Sequence, residues 1–229
     1  MRFAIYYTPR RDEELNAAAS AWLGRDAHTG RACRQPGLDW LEPADLRALT
    51  ADPRRYGFHG TLKAPFRLKD EACLDDMIDE AERFAERSGP VLLDAGLKVS
   101  LLGPFFALVP VADDPALSAF ASACVRTFEP FRAPLSADEL QRRRKSGLTA
   151  NQDAYLVRWG YPYIFDEFRF HMTLTGRVPE ATRRQMLGEL ESRFAGFTAI
   201  PFRLDALSLF SQHGPDDAFR VEAMFPLKG

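Results

Sequence analysis

The sequence predicts an α+β fold built as two lobes around one shared cleft, each lobe an antiparallel-rich sheet with two helices. Three observations carry that expectation. The order helix, loop, histidine-bearing strand, helix, strand, turn, strand occurs twice along the 229 residues. Two similar stretches, "FHGTL" at 58–62 and "FHMTL" at 170–174, hold the same place in each run, and their histidines, His59 and His171, lie 112 residues apart. Apolar residues at helical spacing follow each of these strands. An internal duplication is the simplest account, with one bilobal domain over 1–229 and lobes of approximately 1–112 and 113–229. The period is far too long for a solenoid repeat.

Each element has its local reason. "RFAIYYT" at 2–8 is aromatic and β-branched, and Pro9 ends it. Leu15, Ala18, Ala19, Trp22 and Leu23 recur at helical spacing. A Gly-, Pro- and Arg-rich stretch to about residue 56 reads as loop. After the His59 strand, Leu74, Met77, Ile78, Ala81, Phe84 and Ala85 form one helical stripe, and Gly89-Pro90 stops it. "LKVSLL" and "FFALVPV" read as strands joined by a turn at Gly103-Pro104. Asp114-Pro115 then marks an N-cap and first helical position, and Leu117, Phe120, Ala121, Cys124, Val125 and Phe128 make the next stripe. Residues 129–160 read as a variable basic segment. Past the His171 strand, Pro179 opens a helix carrying Met186, Leu187, Leu190 and Phe194, and "FRLDALSLF" and "FRVEAMFPL" close the chain as strands.

Bulk composition narrows the class of protein. Apolar residues are 46%, charged residues 27% and the formal net charge −2, as expected for a globular protein and not for one coated in positive charge for duplex nucleic acid. No signal-like leader or span-length apolar run is present, so a cytoplasmic, membrane-free protein is expected. Three scattered cysteines fit neither a disulfide framework nor a zinc pattern.

The chemistry is in the duplicated strand. Side chains of a strand alternate faces. Phe58, Gly60 and Leu62 therefore share one face, and His59, Thr61 and Lys63 the other. In the second copy Phe170, Met172 and Leu174 oppose Arg169, His171, Thr173 and Thr175. Two such polar faces across a cleft give two imidazoles, whose ordinary pKa of about 6.5 suits an acid and a base near neutral pH. Hydroxyls from Thr61 and Thr173, with charge from Lys63 and Arg169, suit a phosphoryl group. Tyr56 and Arg144, from the run Arg142–Lys145, are further candidates for contact with a sugar, a base or a second phosphate. No acidic partner lies on these strand faces, so neither a metal nor another cofactor is expected.

At these residues the chain resembles the two-histidine (2H) phosphoesterase superfamily, whose signature is a pair of His-x-Thr/Ser motifs flanked by apolar residues. "PRRYGFHGTLKAPFRL", "FRAPLS" and "WGYPYIFDEFRFHMTLTGR" further resemble its phosphonate-metabolism branch, known from bacterial phosphonate operons. The resemblance implies His59 and His171 as the acid–base pair and Thr61 and Thr173 as phosphate-holding hydroxyls, with the assignment of base and acid left open. It implies a metal-independent phosphodiesterase that opens a small cyclic phosphate, such as a phosphoribosyl cyclic phosphate; a monomer is expected. RNA or nucleotide 2′,3′-cyclic phosphates are the alternative substrates. A non-catalytic phosphate-ligand sensor is the alternative from another class.

Overall fold

In the computed structural model, which describes residues 1–229, the chain runs β1 (Arg2–Tyr7), α1 (Glu14–Leu23), α2 (Pro43–Leu49), α3 (Ala51–Tyr56), β2 (Gly60–Phe66), α4 (Leu74–Glu86), β3 (Val91–Leu93), β4 (Leu97–Leu102) and β5 (Phe105–Pro110). It continues with α5 (Pro115–Phe128), α6 (Ala137–Arg144), α7 (Ala150–Trp159), β6 (Met172–Thr173), α8 (Arg183–Arg193), β7 (Phe202–Leu204), β8 (Ala206–Gln212) and β9 (Arg220–Pro226). The mixed α+β class and most predicted elements are present. As expected, Asp114 caps α5 by accepting from the Leu117 N–H at 2.8 Å.

The separate sheets expected for 1–112 and 113–229 do not form. One continuous seven-stranded sheet runs β4-β5-β6-β2-β1-β8-β9, with β3 and β7 paired apart from it. The two halves of the chain exchange parts. The β4–β5 hairpin of the first half borders β6, the histidine strand of the second. The β8–β9 hairpin of the second half is joined through β1 to β2. The helices follow suit: α4 packs on β8 and β9, and α8 packs on β4. One 38-residue apolar cluster, with Trp22, Met77, Phe106, Phe128, Met172 and Phe194 among its fully buried members, spans both halves. Burying one such core is the main favourable contribution to folding, and here it cannot be split at residue 112.

Four helices lie in stretches read as loop or basic segment. α2 and α3 are seven and six residues long, each with one buried residue, Leu46 and Pro53, too little for a visible stripe. α6 and α7 each begin with a capping box, Ser136 with Glu139 and Thr149 with Gln152. Those S/T-x-x-E/Q signatures stand in the sequence. No helix is long and apolar enough to cross a membrane.

Candidate active site

The middle of the sheet is where β2 meets β6. Gly60 pairs with Met172 in antiparallel register. Extending that register by one residue each way sets His59 opposite Thr173 and Thr61 opposite His171. Each motif's imidazole is thus the cross-strand neighbour of the other motif's hydroxyl. Gly60 is required at this crossing, because an added Cβ would stand 2.4 Å from the Phe170 ring.

Both histidines are anchored in the same way. His59 Nδ1 lies 2.9 Å from the Gly57 carbonyl, and His171 Nδ1 lies 2.8 Å from the Arg169 carbonyl, two residues back in each case. A carbonyl only accepts, so each Nδ1 is the protonated donor and each neutral ring keeps its lone pair on Nε2. Gly57 presents its carbonyl from a backbone at φ 79°, ψ 168°, which suits glycine alone.

Their surroundings differ. The His59 ring stacks on the buried Tyr6 ring with centroids 3.8 Å apart, and Tyr56 and Phe210 stand at 6.1 Å and 6.2 Å. Burial pushes the His59 imidazole down to about 4; the bond to Gly57 opposes the shift, and the charge of nearby His171 adds to it. His171 has only the Phe105 ring, at 5.9 Å, as an aromatic neighbour.

Two adjoining cavities of about 520 Å³ and 510 Å³ hold these groups. Thr61, Ala64, Tyr161 and Tyr163 line both. His171 and Arg169 line the first; His59 and Tyr56 line the second. Thr173 is half-buried on β6, paired with Ala107 of β5.

Two sequence candidates are not brought to the cleft. Lys63 is buried at 4% exposure, its Nζ donating to Glu129 at 2.8 Å and to the Val125 carbonyl of α5 at 3.2 Å. The reason is a break in strand alternation. Tyr6 pairs with Thr61 but Ile5 pairs with Lys63, a register shift that leaves Leu62 as an extra residue. Thr61 and Ala64 therefore face the cleft, while Leu62 joins the core and Lys63 turns to α5. Arg144 is exposed and clasps Asp153 of α7, with Nε–Oδ1 at 2.6 Å and Nη2–Oδ2 at 2.9 Å. It ties α6 to α7, while its neighbours Arg142 and Arg143 line the His59 cavity.

Arg2 and Tyr6 also line that cavity, and neither is among the sequence candidates. Alternation along "RFAIYYT" puts Arg2, Ala4 and Tyr6 on one face, which is the signal the sequence offers. What the strand alone lacks is its partner register, Tyr6 opposite Thr61. No group of three or more His, Cys, Asp or Glu side chains is arranged to hold a metal ion.

A sheet-centred cleft lined by two anchored imidazoles, hydroxyls and cations defines the broad class, an α+β protein with a polar site suited to an anionic ligand. The chain belongs to the family described as "Protein of unknown function (DUF1045)", whose model matches residues 61–220, beginning two residues after His59. It is similar to a protein of Janthinobacterium sp. (strain Marseille) described as ribose 1,5-bisphosphate phosphokinase PhnN, at 37% identity over 232 residues. A protein of Laribacter hongkongensis (strain HLHK9) with the same description is 32% identical over 221 residues. The alignments cover 100% and 96% of this chain but 51% and 50% of those proteins, so the chain spans about half the length of the curated relatives it matches. Among solved structures, the Thermus thermophilus protein TT0787 aligns over 100% of this chain and 99% of its own at a TM-score of 0.49 and 15% identity. A protein described as a phosphoesterase aligns over 100% and 98% at a TM-score of 0.44 and 12% identity.

Proposed function

We propose that this protein is a phosphodiesterase that opens a small cyclic phosphate by acid–base catalysis between His59 and His171, independently of metal. The observation that carries the reading is the matched anchoring of the two imidazoles on neighbouring strands, each with Nδ1 spent on a carbonyl and Nε2 left for proton transfer. Binding an anion needs donors only; a pair of rings held with free lone pairs suits moving protons.

The difference between the rings supports a division of roles. A base must start neutral, and burial keeps His59 neutral at pH 7. His59 Nε2 takes a proton from water as the water oxygen bonds to phosphorus. The bond from phosphorus to one ring oxygen breaks, and protonated His171 gives its proton to that oxygen. The products are a phosphate monoester and a free hydroxyl, and proton exchange with solvent resets both rings. Thr61 and Thr173 donate to the non-bridging oxygens, whose charge grows in the transition state.

The curated relatives favour a ribose substrate. Their name describes a kinase acting on ribose 1,5-bisphosphate, whereas this chain holds no G-x-x-x-x-G-K-[ST] run for cradling nucleotide phosphates. Opening a 5-phosphoribosyl 1,2-cyclic phosphate at its O2–P bond would produce ribose 1,5-bisphosphate. A cyclic phosphodiesterase half and a kinase half would then act in succession. This agrees with the resemblance to the phosphonate-metabolism branch.

The test is phosphorus NMR of the purified protein with ribose 1,2-cyclic phosphates, nucleoside 2′,3′-cyclic phosphates and EDTA. Ring opening that survives EDTA and collapses in both His59→Ala and His171→Ala is the expected result. A tight complex with no product would instead make the protein a sensor, and near-wild-type turnover in both variants would sink the mechanism.

A further inference from the structure

The His59 cavity holds more positive charge than one cyclic phosphate needs. Arg2 of β1 and Arg142 and Arg143 of α6 all line it, together with the hydroxyl-bearing Tyr56, Tyr161, Tyr163 and Ser146. None of the three arginines is ion-paired, although ten such pairs occur elsewhere. Arg2 Nε donates to the neutral Gln212 side chain at 2.7 Å, and Arg143 Nη1 donates to the Gly160 carbonyl at 2.7 Å. The carboxylate that does bear on Arg143, Glu139, is taken by Arg67 at 2.9 Å and by its own capping box. Burial lowers the Arg143 pKa; Tyr161 and Glu139 oppose the shift, and Arg142 and Arg2 add to it. Arg2 and Arg143 are half-buried and Arg142 is exposed, and with Glu139 committed to Arg67 and to the Ser136 N–H the three leave unmatched positive charge on this wall.

The wall is also built rigidly. α6 is pinned at its start by the Ser136–Glu139 capping box, at its side by Arg67, and at its end by Arg144 on Asp153. The chain after α7 turns at Gly160, which has φ 76°, and brings Tyr161 and Tyr163 to the same cavity. Guanidinium groups are suited to phosphate oxygens, which they meet with paired donors.

We propose that Arg2, Arg142 and Arg143 form a second anion subsite that takes a terminal phosphate monoester on the substrate, selecting phosphorylated sugars over their unphosphorylated counterparts. The proposal rests on the phosphodiesterase reading for the place of the reacting ring at His59 and Thr61, with which the arginines share one cavity. It assigns the terminal phosphate to the α6 side and the cyclic phosphate to the β2–β6 crossing.

Two measurements test it. In calorimetric titration, ribose 5-phosphate, which has no ring to open, should bind where ribose does not. Arg142→Gln or Arg143→Gln should weaken that binding roughly ten- to a hundred-fold, the loss expected for a charge-assisted contact. Arg184→Gln, an exposed arginine on α8, is the control and should bind as wild type. In steady-state kinetics, the kcat/KM ratio between 5-phosphorylated and unphosphorylated ribose 1,2-cyclic phosphate should be large and fall by a similar factor in the arginine variants. Ribose 5-phosphate binding no tighter than ribose, or unchanged by the arginine variants, overturns the subsite. Ring opening at equal kcat/KM on both substrates overturns it while leaving the phosphodiesterase reading intact. Arginine-dependent binding of ribose 5-phosphate without any ring opening keeps the subsite and sinks that reading. Tighter, strongly salt-dependent binding of an oligonucleotide 2′,3′-cyclic phosphate would reassign the cluster to diester backbone and overturn the monoester.

Discussion

The two copies of the histidine motif share their anchoring and the walls formed by Tyr161 and Tyr163, and differ in the rest of their surroundings. Each Nδ1 donates to the carbonyl two residues back, and the two motifs meet where Gly60 pairs with Met172. Around His59 the wall is aromatic and cationic, with Tyr6 stacked on the ring. Around His171 it is Phe105, Arg169 and the polar Gln152 and Glu167. The middle residue differs as well. Gly60 sits under Phe170 with no room for a side chain, whereas Met172 is fully buried in the core. The local motif supplies two anchored imidazoles, and under the proposed mechanism their unequal surroundings would divide the roles of base and acid between them.

The largest effect should come from breaking the pair. His59→Ala and His171→Ala should each lower turnover by about 10²–10⁴-fold, while circular dichroism and thermal unfolding show a folded protein. A large loss in one and none in the other would mean that the copies are not partners.

The middle residues should fail in opposite ways. Met172→Ala removes a fully buried side chain and should cost about 2–5 kcal/mol in urea unfolding. Gly60→Ala adds a methyl group against the Phe170 ring and should cost about 1–3 kcal/mol. Because Gly60 sits at the crossing of the histidine strands, that variant should also lose activity beyond its loss of stability.

The lowered pKa of His59 sharpens the comparison further. The fold keeps His59 neutral where an unfolded imidazole, with its ordinary value of 6.5, is charged. The unfolded state therefore binds more protons between pH 6.5 and about 4. His59 favours the unfolded state progressively as pH falls through that window, and it has no such effect above 6.5. His59→Gln should flatten this part of the stability–pH curve, and His171→Gln should leave most of it. If His59 is the base, the acid limb of kcat/KM lies well below 6.5 in the wild type.

The smallest effect belongs to Lys63. Lys63→Met should leave kcat/KM at the wild-type level, because the ammonium serves Glu129 and α5 and does not reach the cleft. A marked rise in KM would show that the side chain does reach substrate.

Much of this arrangement is legible in the residues. The two-faced strands, the stripe of α4, the Asp114 cap and the closing hairpins rest on short-range periodicity, which neighbouring residues express without help. The placement of His59, His171 and Thr61 at one cleft follows from the same alternation. α6 and α7 carry legible capping boxes, but their apolar residues are too sparse to form a stripe. Lys63 is misplaced by alternation because an extra residue in the strand reverses the side chains next after it, and the bulge exists only as a mismatch with β1.

The sequence by itself determined the α+β class, the order of the main strands with α1, α4, α5 and α8, and the two His-x-Thr faces, because these follow from local patterns of two and 3.6 residues. Tertiary structure alone decided that the halves exchange hairpins, that Arg142 and Arg143 face the cleft while Arg144 does not, and that His59 stacks on Tyr6 and stays neutral. Those outcomes depend on strand register, helix rotation and burial between residues tens to hundreds apart, and no local pattern encodes such distances.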